Sequence, residues 1–175
     1  MEILQAILLG IIHGFTEWLP VSSSAHLAFF FRLFQQEPDF FMIGLLHFAT
    51  LLSLIIYFRK DIKSYLTTYT NKTQKWHMLA IILPFFIVGF FYHTIFEQFL
   101  TNFRVIGWAL IVNGVLLFGT GFVSKSTSMS LLKAIGIGLS QIFVLIPGTS
   151  RTGLFVSSGA YFRLEKEKIK QYLVL

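Results

Sequence analysis

The chain has 175 residues, 55% of them hydrophobic and 13% charged, against roughly 45–50% and 25% in soluble domains. With 21 Phe and a mean hydropathy of +0.72, it carries more apolar surface than a globule of this length can bury, so an integral membrane protein of one domain is expected. The lack of cysteine excludes a disulfide scaffold and thiolate metal centres. The net charge of +6 lies mostly in short links between apolar runs, which marks membrane orientation and gives no reason to expect a nucleic-acid partner.

Taken in chain order, residues 2–34 form an apolar stretch interrupted by Glu17, Pro20, Ser22, Ser23, Ser24 and His26. Residues 1–10 carry no basic n-region and no cleavage site precedes the polar cluster, so a signal peptide is not expected. Three continuous runs follow, each long enough to cross a bilayer core of about 30 Å as a helix. Residues 40–58 hold no charge and one histidine, His47; residues 76–96 hold Pro84, His77 and His93; residues 105–123 hold Asn113 and four glycines. A second interrupted stretch, 131–162, is broken by Pro147, Gly148, Thr149, Ser150, Arg151 and Thr152.

Eleven of the fourteen Lys and Arg fall in three segments, 59–75, 124–133 and 163–170. The positive-inside rule places all three in the cytoplasm and the turn 97–104 outside. If both interrupted stretches dip in and return to the same face, the sidedness closes without contradiction. The expected fold is therefore all-α: a polytopic membrane protein with broken-helix re-entrant hairpins.

The two hairpins resemble one another. Gly10, His13, Pro20, Ser22 and Ser23 follow the order of Gly138, Gln141, Pro147, Thr149 and Ser150, with a one-residue difference in length. Three spans between the copies would turn them opposite ways, a partial inverted repeat whose broken helices meet at a buried polar site. Residues 1–175 then form a single transmembrane domain, 1–123 being the first repeat and 124–175 the start of an incomplete second.

The first polar cluster runs from His13 to His26. His13 and Glu17 share a helix face, and a carboxylate at this depth turns toward a bundle interior or a watered cavity. Pro20 ends that helix, and the serines offer caps and hydroxyls at the positive end of the next. The second cluster, 147–153, joins the permissive backbone of Gly148 to the hydroxyls of Thr149 and Ser150 and the fork of Arg151, which suits phosphate oxygens. The bland alternatives are capping serines, a snorkelling Glu17 and an Arg151 on headgroups. Brought together, the two turns make a phosphate-handling site. His47, His77 and His93 read as satisfied core histidines, and Asn113 as an amide that packs helices. No P-loop, GxGxxG or HExxH pattern is present.

The run from Gly14 to His26, together with Pro147 to Gly153, resembles the two signature segments of the undecaprenyl-diphosphate phosphatase family, the bacitracin-resistance type. The likeness spans essentially the whole chain. It implies a bacterial inner-membrane, multi-pass hydrolase that removes the terminal phosphate of the C55 carrier diphosphate at the outer face and returns the monophosphate to cell-wall synthesis. Its partners would be the polyprenyl diphosphate and membrane lipids, and a homo-oligomer is left open.

Carried onto this chain, the resemblance makes Glu17 the second acid of a paired-glutamate motif, a ligand for Mg²⁺ or Ca²⁺ or the activator of a water. Ser23 and Ser24 match its hydroxyl pair, as nucleophile or positioners, and His26 its acid–base histidine. Arg151, Ser150, Thr149 and Gly148 match the end that holds diphosphate oxygens.

Three features depart from the family. His13, on the substrate-binding side of the motif, replaces the first glutamate and removes the carboxylate pair. His47 stands where glutamine is usual. Relatives also continue well past the second hairpin, so a fragment or truncated homologue is expected. A non-hydrolytic polyprenyl phosphate carrier or flippase, or a catalytically impaired remnant, is the competing expectation.

Overall fold

The computed structural model describes residues 2–64, 72–123 and 127–174; parts of the expected links 59–75 and 124–133 lie outside the described residues, as does the side chain of His93. The described residues fold into α1 (Ile3–Thr16), α2 (Ser23–Leu33), α3 (Phe40–Tyr57), α4 (Arg59–Ser64), α5 (Lys72–Glu97), α6 (Phe103–Gly119), α7 (Leu131–Gln141), α8 (Arg151–Tyr161) and α9 (Lys166–Val174). Short 3-10 turns follow α6 and α7, at Thr120–Phe122 and Ile142–Leu145. Thr127 and Leu164 form an isolated bridge, and no sheet is found among the described residues. The all-α expectation holds.

Polar side chains set where the helices begin. Asp39 accepts from the Phe41 amide at 2.9 Å to start α3, and Asn102 accepts from Val105 at 3.3 Å to start α6. Ser130 and Ser150 do the same for α7 and α8, satisfying amides that have no partner within the helix.

Two stretches, Lys72–Phe91 and Phe103–Phe122, are long and apolar enough to cross a membrane, with mean hydropathies of 1.5 and 1.9. Each has only 11% of its apolar window buried inside the protein, so neither is the core helix of a soluble fold. Phe90 and Phe118 are 77% and 76% exposed and give those helices their outward apolar surface. The expected third span is shorter than the other two. The 18 residues of α3 rise about 27 Å, a little under the roughly 30 Å hydrocarbon core, because Asp39 and Arg59 bracket the helix.

The best-packed part of the molecule lies where α5 runs along α7. A Cβ on Gly138 would collide with the Ala80 carbonyl oxygen, so glycine is what lets these backbones approach. Ile81, Ala134, Ile137 and Phe155 fill the seam, and α9 closes it with Ile169 and Tyr172. The expected basic tail therefore begins a docked helix. His77 is a satisfied core histidine, its Nδ1 lying 3.2 Å from the Tyr172 hydroxyl. A second cluster, Leu9, Leu27 and Phe31, holds α1 to α2. Ala25, Ala28 and Ile106 hold α2 to α6. In a bilayer these contacts draw on close packing more than on water exclusion.

Both interrupted stretches are helix–break–helix units, α1/α2 and α7/α8. Their alignment needs one adjustment. The residue that caps α2 is Ser22 and the one that caps α8 is Ser150, so the caps correspond with an offset of one from the sequence pairing of Ser23 with Ser150. The first break also begins earlier than Pro20, since α1 ends at Thr16 with Glu17 as its C-cap.

Candidate active site

The tips of the two broken hairpins meet at Glu17. Its side chain is 14% exposed, and its two oxygens take different partners. Arg151 donates from Nη2 to Oε1 at 2.8 Å, and Ser23 donates from Oγ to Oε2 at 2.5 Å. Glu17 still has helical backbone angles, φ −65° and ψ −32°, which projects the carboxylate from the same face as His13 one turn earlier. Ser23 and Arg151 are each the first residue of a helix, α2 and α8. Free amides and the positive ends of two helices therefore converge on one spot.

Local backbone geometry supports this meeting. Ser22 caps α2 at φ 64°, a left-handed conformation that costs of order 1–3 kcal/mol in a non-glycine residue. The price is offset by contacts: its Oγ accepts from the Ala25 amide and lies 3.1 Å from Ser24 Oγ. Gly148 turns the second break at φ 100°, and a Cβ there would lie 2.5 Å from the Ile106 carbonyl oxygen. Only glycine suits that position.

Asn113 ties the turns together from α6. Its Nδ2 donates to the Pro20 carbonyl at 3.1 Å, and its Oδ1 accepts from the Ser150 amide at 3.4 Å. The expected packing amide is in fact a brace between the two halves of the site. At 3% exposure it works where unpaired polar groups are costly.

A cavity of about 340 Å³ opens beside Glu17. Ser23, Ser24, Thr149, Ser150 and Arg151 line it along with Glu17, and Phe85, Leu100, Val144 and Leu145 give it an apolar wall. Polar donors at one end and hydrocarbon at the other suit an amphiphile with an anionic head.

Some expected residues are placed differently. His26 does not line the cavity; its Nδ1–H donates to the Ser22 carbonyl at 2.8 Å, one turn back along its own helix. Gly148 shapes the turn without lining the cavity. His13 is fully buried beneath Glu17 and touches no open space. His47 is the correction in the other direction. It is no core histidine: its side chain is 44% exposed, it lines the cavity, and its Nε2 lies 3.8 Å from Glu17 Oε2. Its setting in an uncharged run concealed this, although its place at a usual glutamine position was the available signal.

Nor does the donor set suit Mg²⁺ or Ca²⁺. Those ions take six or more oxygens. Glu17 supplies the one carboxylate of the cluster, and its nearest potential co-ligands are two imidazoles rather than further oxygens.

Comparisons with known proteins place the chain in a family. A family model described as "Bacitracin resistance protein BacA" matches residues 6–174. A protein of Methanococcus vannielii named undecaprenyl-diphosphatase is 33% identical over 98% of this chain and 73% of its own length. Proteins of the same name from Caldicellulosiruptor bescii and Korarchaeum cryptofilum are 32% and 30% identical, each over the whole of this chain and over 71% and 72% of their own lengths.

Proposed function

The chain belongs to the bacitracin resistance protein BacA family, and from that membership we propose that it is an undecaprenyl-diphosphatase, releasing inorganic phosphate and the monophosphate from a polyprenyl diphosphate carrier lipid. Relatives that bear this name align with essentially the whole chain. The observation that carries the reading is the double engagement of Glu17, by Arg151 on one oxygen and by Ser23 on the other.

In this reading Ser23 Oγ attacks the terminal phosphorus while its proton passes to Glu17 Oε2. The bond from that phosphorus to the bridging oxygen breaks, and the bridging oxygen leaves with the lipid monophosphate. Water then attacks the phosphoserine phosphorus, the Ser23 Oγ–P bond breaks, Ser23 Oγ recovers the proton held by Glu17, and inorganic phosphate leaves. Ser23 is favoured over Ser24 because Ser24 Oγ is turned to Ser22 rather than to the carboxylate. Glu17 takes the base role expected of His26, which does not line the cavity.

Arg151 has further N–H donors besides the one on Glu17 and can hold the terminal phosphate oxygens as charge develops on them. The amides at the start of α8 and the hydroxyls of Thr149 and Ser150 add donors to the same oxygens. Phe85, Leu100 and Val144 would receive the first part of the prenyl chain.

The same reading places the protein in the plasma membrane with α3, α5 and α6 crossing it, the basic links inside and the cavity open to the outer face. It serves recycling of the cell-wall lipid carrier, which is the basis of bacitracin resistance.

The test is phosphate release by the purified full chain in detergent on C55 and C15 diphosphates. Release above a heat-killed control, lost in Arg151→Ala, is the expected result. Lipid binding with no release would contradict hydrolysis and favour a carrier.

A further inference from the structure

We infer that His13, Glu17 and His47 form a binding site for a borderline divalent cation of the Zn²⁺ type, in place of the hard Mg²⁺ or Ca²⁺ that a carboxylate pair would hold. One ligand atom from each of the three residues lies within 4.8 Å of the others. His13 Nε2 and His47 Nε2 stand 3.9 and 3.8 Å from the same Glu17 oxygen, Oε2. Tetrahedral donors at about 2.1 Å from zinc sit roughly 3.4 Å apart, so side-chain shifts of about an ångström close the cluster.

Two features beyond spacing point to a cation. His13 is completely buried, yet neither of its ring nitrogens has a hydrogen-bond partner among the described residues. A buried imidazole lone pair without a partner is stabilised by a cation placed beside it. His47 is held in the other way that ligating histidines are held: its Nδ1–H donates to the Ile43 carbonyl at 2.9 Å, which leaves the Nε2 lone pair free on the side facing Glu17. The rings of His13 and His47 are 4.5 Å apart between centroids, close enough for both to reach one ion.

Donor type decides the ion. Two imidazoles and one carboxylate are the ligand set of catalytic zinc sites, and imidazole favours Zn²⁺, Co²⁺ and Ni²⁺ over Mg²⁺ and Ca²⁺. Arg151 on Glu17 Oε1 would act as the outer partner that orients the carboxylate. Because His47 and Glu17 both line the cavity, the fourth position faces the space where a water or a phosphate oxygen would enter.

A bound metal would take the Glu17 Oε2 that the metal-free chain offers to Ser23; metal binding itself requires no phosphatase chemistry, so the two readings fail separately. The full chain in detergent, stripped with EDTA, is titrated with Co²⁺. Expected are the visible bands of four-coordinate Co²⁺ at one ion per chain, displaced by Zn²⁺ but not by an equal concentration of Mg²⁺. His13→Gln and His47→Gln should each weaken binding by more than the roughly 10–100-fold that loss of an outer partner costs, while His77→Gln leaves the bands unchanged. X-ray absorption of the Zn²⁺-loaded wild type should count two imidazoles, a measurement that depends on no variant. Absence of the bands in folded wild type, equal displacement by Mg²⁺, fewer than two imidazoles, or binding unaffected by both cluster variants would each overturn the site.

Discussion

Arg151 and Glu17 are 134 residues apart in sequence and 2.8 Å apart in space, joined Nη2 to Oε1 at the tips of two separate broken hairpins. A pair set so far apart in the chain depends on the packing that brings the two hairpins together, including the Asn113 brace from α6, and it turns two polar turns into one charged site. Arg151 remains 64% exposed while Glu17 is 14% exposed. The guanidinium is therefore available to a ligand, and the carboxylate is the fixed partner.

That asymmetry separates function from stability. Arg151→Ala should lower kcat by about 100- to 1,000-fold, the scale of losing one stabiliser of transition-state charge. Its effect on stability should stay below the roughly 3–5 kcal/mol of breaking a fully buried pair, because the guanidinium is exposed and Glu17 keeps the Ser23 hydroxyl. Steady-state phosphate release and thermal unfolding in the same detergent check both halves. A large loss of stability would mean that the pair is mainly structural.

The two serines should behave differently. Ser23→Ala removes the hydroxyl bound to Glu17 and should reduce turnover to background, with lipid binding retained. Ser24→Ala breaks only the contact to Ser22 Oγ and should keep activity within about 10-fold of wild type, below the 100-fold or more that an acid–base or charge-stabilising group contributes. Rapid quenching with a labelled terminal phosphate should trap a phosphoserine in wild type and none in Ser23→Ala.

Asn113→Leu should be costly for a reason that charge does not supply. It leaves the Pro20 carbonyl and the Ser150 amide without their partner, at about 1–3 kcal/mol for a buried group. Loss of thermal stability and loss of phosphate release are expected together, because both turns lose their brace. Asn113→Ser, small and polar, should recover part of each.

Gly148→Ala places a Cβ 2.5 Å from the Ile106 carbonyl oxygen at φ 100°, a backbone conformation that costs about 1–3 kcal/mol in other residues. Reduced thermal stability is expected, whereas Gly14→Ala, with nothing within 4 Å of its added Cβ, should be neutral or slightly stabilising. Paired melting curves decide the matter.

Much of this was legible in the residues alone. Apolar run lengths foretold the helices, and the polar breaks at 17–26 and 147–152 foretold the interruptions between α1 and α2 and between α7 and α8. What periodicity could not show was which side chains the breaks would turn inward. His26 looked placed to act, but its Nδ1 is held by the carbonyl of Ser22 one turn back and its side chain does not line the cavity. His47 looked like core because its neighbours are apolar, yet it faces the cavity. Asn113 was visible as a lone amide, while its two partners lie in separate hairpins and could be found only in three dimensions.

The central claim is that the carboxylate of the first hairpin and the guanidinium of the second act as one unit, and a double-mutant cycle on phosphate release measures this directly. Glu17→Gln, Arg151→Gln and the double variant are compared by kcat/KM with wild type. Acting together, the residues should give a double variant little slower than the worse single variant. Losses that multiply, each independent of the other, would contradict a shared site.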